Sequence, residues 1–121
     1  MKIKTGYFAY TKKYEELGYR CISIARVTPK WFRGICLPEL APTFDLLDRY
    51  KRGLVSEVDY KEEYEFMLKR VDIDGVLKNF NKDDKIIFLC YEKSSSFCHR
   101  HILAEYLNTN YGLDVKEYVF S

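Results

Sequence analysis

The 121-residue chain is 47 % hydrophobic and 31 % charged, an ordinary globular composition that excludes a disordered chain. Its formal charge of +2 lacks the clustered basic excess of a nucleic-acid binder. No apolar run approaches the roughly eighteen residues of a membrane span.

The start, Met1-Lys2-Ile3-Lys4, has no apolar leader segment, so a cytoplasmic location is expected. In that reducing compartment Cys21, Cys36, Cys90 and Cys98 read as core, metal-binding or reactive thiols rather than as disulfides. No linker or repeat divides residues 1–121, which are expected to form a single domain.

Ile3–Tyr10 predicts a first strand, with Gly6 marking a bend or a close backbone approach. Lys12–Leu17 predicts a short helix closed by Gly18. Arg20–Val27, apolar and β-branched, predicts a second strand stopped by Thr28-Pro29. Lys30–Pro38 is expected to be a loop. Its Lys30-Trp31-Phe32-Arg33 cluster suits a loop with a buried Trp better than a nucleic-acid grip.

Pro42 reads as an early helix residue, followed by Phe44, Leu47 and Tyr50 at helical spacing up to Gly53. Ser56 opens a capping pattern before an amphipathic helix carrying Tyr60, Tyr64, Met67, Leu68 and Val71. A shorter helix is expected over Ile73–Phe80, then a polar turn. Lys85–Glu92 is the clearest strand, because Ile86–Leu89 is apolar on both faces, as in the middle of a parallel sheet. A serine-rich turn leads to a helix over Phe97–Tyr111, closed by Gly112, and Val115–Phe120 predicts a last strand. This order gives an α/β class with a parallel or mixed central sheet flanked by helices.

The segment Cys90–Arg100 concentrates the chemistry. Side chains alternate along a strand, so Cys90 and Glu92 share a face at its outgoing end, where open α/β sheets bind ligands. Arg26 leaves the second strand at the same edge and is expected to meet Glu92 there. Ser96, at a helix N-terminus, and Arg100, in the first turn, form with Arg26 an expected anion site. Helical phasing places His99 within the buried stripe of Ile102, Leu103, Tyr106 and Leu107, and His101 on the polar side. His99 is thereby placed to orient or deprotonate a thiol. Cys90 is a candidate nucleophile and Cys98 a competing one, since both lie near cationic and dipolar groups that favour thiolate.

Cys-x-Glu, five residues, then Cys-His-Arg, between an apolar strand and a helix, resembles the signature of the domain-of-unknown-function family DUF488. Thr5-Gly6-Tyr7, Arg26 followed by Pro29, and the Tyr60/Tyr64 helix fit the same resemblance, which covers nearly the whole chain. It implies a site at Cys90, Glu92, Cys98, His99, Arg100 and Arg26. The second strand departs from the family pattern, since Ser23 and Ala25 offer no carboxylate before Arg26.

The first functional expectation is an enzyme acting on a small anionic substrate, phosphate- or nucleotide-containing. Cys90, Glu92, Cys98 and His99 would be its catalytic groups, and Arg26, Ser96 and Arg100 its anion ligands. The chemistry would be that of a thiol-dependent hydrolase or transferase. A Cys followed six positions later by Arg, the phosphatase pattern, is absent because Ser96 stands there. One alternative is a module that binds a nucleotide or a protein without catalysis. The other is a zinc or iron centre on Cys90, Cys98 and His99, completed by Glu92 or His101. The adjacency of Cys98 and His99 departs from usual ligand spacing, so no metal is assigned. The motifs name no cofactor and no oligomeric state.

Overall fold

In the computed structural model, residues 1–91 and 97–120 are described. Strand β1 (Lys2–Tyr7), helix α1 (Thr11–Glu16), β2 (Arg20–Ser23), β3 (Ile35–Cys36), α2 (Phe44–Lys51), α3 (Glu57–Leu68), α4 (Ile73–Leu77), β4 (Lys85–Cys90), α5 (His99–Tyr111) and β5 (Lys116–Glu117) follow in that order. The strands form one sheet in the order β3-β2-β4-β1-β5, and each recorded strand pair is parallel. The expected α/β class holds, with the sheet parallel rather than mixed. Among the described residues, no helix is long and apolar enough to cross a membrane.

The apolar run of β4 is buried because that strand is central, between β1 and β2, with helices on both faces. Ile86 and Phe88 join Ile3, Ile22 and Ile24 against α2–α5 through Leu46, Tyr64, Leu68, Val76 and Leu103. Ile87 and Leu89 point to the other face and pack with Tyr14 of α1, Phe8, Cys21, Phe32 and Tyr19. Gly6 sits where Tyr14 crosses β1: a Cβ there would lie 2.7 Å from the Tyr14 hydroxyl oxygen and 2.9 Å from Ile87 Cδ1. Of its two expected roles, the structure assigns close approach.

Several boundaries differ from the sequence expectation, each for a local reason. The second strand ends at Ser23, with Ile24 N still donating to Leu89 O. There the Ser23 hydroxyl accepts from Ala25 N and bonds Thr28 Oγ1, bending the chain away from the ladder. The expected loop Lys30–Pro38 contains the edge strand β3, and Trp31 within it is 56 % exposed while Phe32 is buried. The expectation of a buried Trp is therefore corrected to a buried Phe. Thr43, rather than Pro42, starts α2, its side chain accepting from Leu46 N. Ser56 caps α3 by accepting from Asp59 N, as its spacing predicts. The first strand gives way to a 3-10 turn at Phe8, α4 stops at Leu77, and β5 spans only Lys116–Glu117.

Candidate functional site

The carboxyl ends of β2 and β4 and the start of α5 enclose a cleft of about 470 Å³. Cys90, Cys98 and His99 stand on one side of it, Arg26 on another, and Tyr50, Tyr60 and Phe97 form an aromatic wall. Those three rings pack with centroids 5.1–5.2 Å apart. This is the position at which open α/β sheets take their ligands, and its volume falls in the range of small-molecule sites.

Cys90 ends β4 on the face that carries Ile86 and Phe88, and Cys98 directly precedes α5. The fold brings the two side chains together, and they are joined as a disulfide with Cα atoms 7.6 Å apart. This corrects the expectation that both are free thiols. Residues eight apart in sequence face each other because the end of β4 and the start of α5 meet at the carboxyl edge of the sheet. Cys21 and Cys36 remain free. Cys21 is buried, with its thiol pushed up to about 12 by burial, which keeps it an inert core group. Cys36 is exposed at the sheet edge.

His99 is buried in the stripe where helical phasing places it. Its Nε2 lies 2.6 Å from the Ile24 carbonyl oxygen, and its Nδ1 lies 3.7 Å from Cys98 Sγ. A carbonyl can only accept, so Nε2 carries the proton and Nδ1 presents its lone pair to the sulfur. Burial holds the ring's pKa down to about 4 against the partly opposing bond to Ile24. The imidazole is therefore neutral near physiological pH. Tyr64 closes the site from behind, its ring edge-on to His99 with centroids 5.6 Å apart and its hydroxyl donating to Leu40 O at 2.6 Å.

Arg100, expected as an anion ligand in the first turn, is 0 % exposed. Its Nε and Nη2 donate to the two oxygens of Glu117, each at 3.0 Å, and Nη1 lies 2.9 Å from Cys90 Sγ. The Thr5 hydroxyl also donates to Glu117, at 2.6 Å. Burial alone would raise the Glu117 pKa, but the bonds from Arg100 and Thr5 outweigh it and hold the carboxyl below its ordinary value. The order of the sheet makes this possible. Parallel pairing sets Thr5 opposite Glu117, and α5 packs over β1 and β4.

The expected anion ligands Arg26 and Arg100 each have partners within the protein. Arg100 is committed to Glu117 and Cys90. Arg26 donates to the carbonyl oxygens of Pro42, Pro38 and Ala41 at 3.0, 3.1 and 3.0 Å, tying down the segment before α2, and its guanidinium lies 5.8 Å from the Phe44 ring centre. Helix α5 starts at His99 with Cys98 as its N-cap residue, later than the expected Phe97. Glu92 and Ser96, with the expected Arg26–Glu92 contact and the serine cap, lie outside the described residues. His101, expected on the polar side, is half-buried, its Nδ1 3.9 Å from Glu117 Oε1. Sequence reasoning missed Glu117, Thr5 and the Ile24 carbonyl. A lone Glu in a predicted last strand carries no signal of a buried partner on another element.

A family model described as the active DUF488-N3 subclade matches residues 8–111. The chain belongs to the DUF488 family. The match takes in Arg26, Cys90, Cys98, His99 and Arg100 of this DUF488 chain and leaves out Thr5 and Glu117, which complete the Arg100 network. Neither the curated proteins nor the solved structures compared with it give a match.

Proposed function

We propose that this DUF488 protein is an enzyme that takes a small anionic, ring-bearing substrate such as a nucleotide into the cleft and attacks it with the sulfur of Cys90. The supporting observation is the position of that sulfur. It lines the cleft, and an Arg100 N–H points at it from 2.9 Å. Because Glu117 grips the guanidinium from its other side, the donor is fixed before any substrate arrives, which is the preorganisation that stabilises a thiolate.

Reduction of the Cys90–Cys98 disulfide by an external dithiol, itself oxidised to a disulfide, arms the site. Cys98 then stands beside Nδ1 of neutral His99, whose lone pair can accept a hydrogen bond from the Cys98 thiol. The Cys90 thiolate displaces a leaving group from the substrate, and that group departs protonated by water. The covalent intermediate then passes to water in a hydrolase or to a second acceptor in a transferase, freeing the thiolate again. The wall of Tyr50, Tyr60 and Phe97 suits a planar ring. Lys51, exposed on the same cleft, meets the anionic group in place of the two committed arginines.

The test uses reduced, chelator-treated full-length protein with a panel of nucleotides and inorganic phosphate. A nucleotide present at a hundred times its dissociation constant adds about 2.7 kcal/mol of stability, read as a rise in melting temperature. Iodoacetamide modifies reduced Cys90 faster than Cys36 in the same sample, and Cys90→Ser keeps the nucleotide-induced shift. The proposal fails if no nucleotide raises the melting temperature, or if Cys90 reacts no faster than Cys36.

A further inference from the structure

The Cys90 and Cys98 sulfurs and Nδ1 of His99 all lie within 4.8 Å of one another, and the three residues are buried. Two features make them more than neighbours. The first is the fixed direction of the imidazole. Its Nε2–H is held by the Ile24 carbonyl at 2.6 Å, so the Nδ1 lone pair faces the sulfurs. Metal-binding histidines are commonly oriented by such a bond from the other ring nitrogen. The second is spacing. Nδ1 stands 3.7 Å from Cys98 Sγ, close to the ~3.6 Å edge between a sulfur and a nitrogen on one tetrahedral zinc.

We infer that, once reduced, Cys90, Cys98 and His99 form a Zn²⁺ site whose fourth position opens to the cleft and whose occupation withdraws both sulfurs from chemistry. Two thiolates and an imidazole suit zinc in tetrahedral geometry. All three residues line the cleft, so water or a ligand from the cleft completes the set. The Arg100 N–H on Cys90 then supports a metal-bound thiolate, as outer-shell donors do. The withdrawal of the sulfurs regulates the nucleophile of the previous section and rests on that reading; the metal site itself does not.

The chemistry balances with a phosphine as reductant. One phosphine and one water convert the disulfide to two thiols, and the phosphorus leaves as the phosphine oxide. Zn²⁺ then replaces the two thiol protons, which pass to bulk water.

The experiment reduces the full-length chain with a phosphine, removes the reductant under nitrogen, adds Zn²⁺ alone, and measures bound zinc by elemental analysis after gel filtration. The expected result is one zinc per reduced chain and none on the chain left oxidised. Co²⁺ in place of Zn²⁺ gives thiolate charge-transfer and tetrahedral ligand-field absorption. Zinc slows iodoacetamide modification of Cys90 and Cys98 and leaves Cys36 unaffected. Cys98→Ser and His99→Gln weaken zinc binding by at least about tenfold, given that loss of an outer-shell partner alone costs 10–100-fold. Reduced wild-type protein that emerges without zinc overturns the inference even if both variants misfold. So does zinc retained undiminished by a folded Cys98→Ser variant. Zinc binding without a nucleotide-induced thermal shift defeats the proposed enzyme but upholds the metal site. A nucleotide-induced shift without zinc binding does the reverse.

Discussion

Replacing Glu117 by Gln tests the network that fixes Arg100. The guanidinium is 0 % exposed and cannot regain water, while the Glu117 side chain is only 16 % exposed. Removing one partner of a buried pair costs about 3–5 kcal/mol, most of it from the charge left uncompensated. Gln retains one oxygen for the Arg100 or Thr5 donor, so the lower end, about 3 kcal/mol, is expected. For 121 residues the unfolding entropy is roughly 250 cal/mol/K near the midpoint, so the melting temperature falls by about 12 °C. Urea unfolding of both proteins in the disulfide form supplies the comparison, with the midpoint moving and the slope unchanged. Arg100→Met combined with Glu117→Gln should cost less than the sum of the single changes, because the pair acts as a unit. A Glu117→Gln loss within about 0.5 kcal/mol, the usual effect of a surface change, would refute the account of Arg100 as a buried, charge-paired donor.

The same carboxylate predicts an acid limb. Its folded pKa is depressed, so its stabilisation is complete above the ordinary glutamate pKa and is lost as pH falls through the lower folded value. The stability gap between wild type and Glu117→Gln should therefore narrow in acid, with the Arg100 guanidinium and the His101 ring, cationic only when protonated, facing the carboxyl; a gap constant with pH would contradict this. Gly6→Ala should destabilise by about 1–3 kcal/mol through overpacking, because the added Cβ meets the Tyr14 ring and Ile87; thermal melting reads it. Tyr64→Phe leaves the buried Leu40 carbonyl without its donor and should cost about 1–3 kcal/mol in urea unfolding. In the oxidised protein, iodoacetamide followed by mass spectrometry should label exposed Cys36 quickly and buried Cys21 slowly, with Cys90 and Cys98 labelled only after reduction.

Local patterns in the sequence determined much of this protein by themselves. Four consecutive apolar residues identify β4 as a strand buried on both faces, and Ser56 marks the start of α3 by the donor it caps. Gly112, at φ 65°, ends α5 because it adopts the left-handed conformation without a Cβ clash. Helical phase alone assigned His99 to the interior. The motif also located the cleft, since Cys90, Cys98 and His99 sit on its wall. Tertiary structure decided the partners. Arg100 pairs with Glu117 because β5 adds beside β1, over which α5 packs, a neighbour that no spacing within the Cys90–Arg100 segment encodes. Arg26 holds the carbonyls before α2, and Cys90 bonds Cys98, because these elements meet at the carboxyl edge of the sheet. Periodicity and capping record how each residue meets its immediate backbone. Which buried charge meets which depends on strand order and helix packing, and these are set by contacts between segments far apart in the chain.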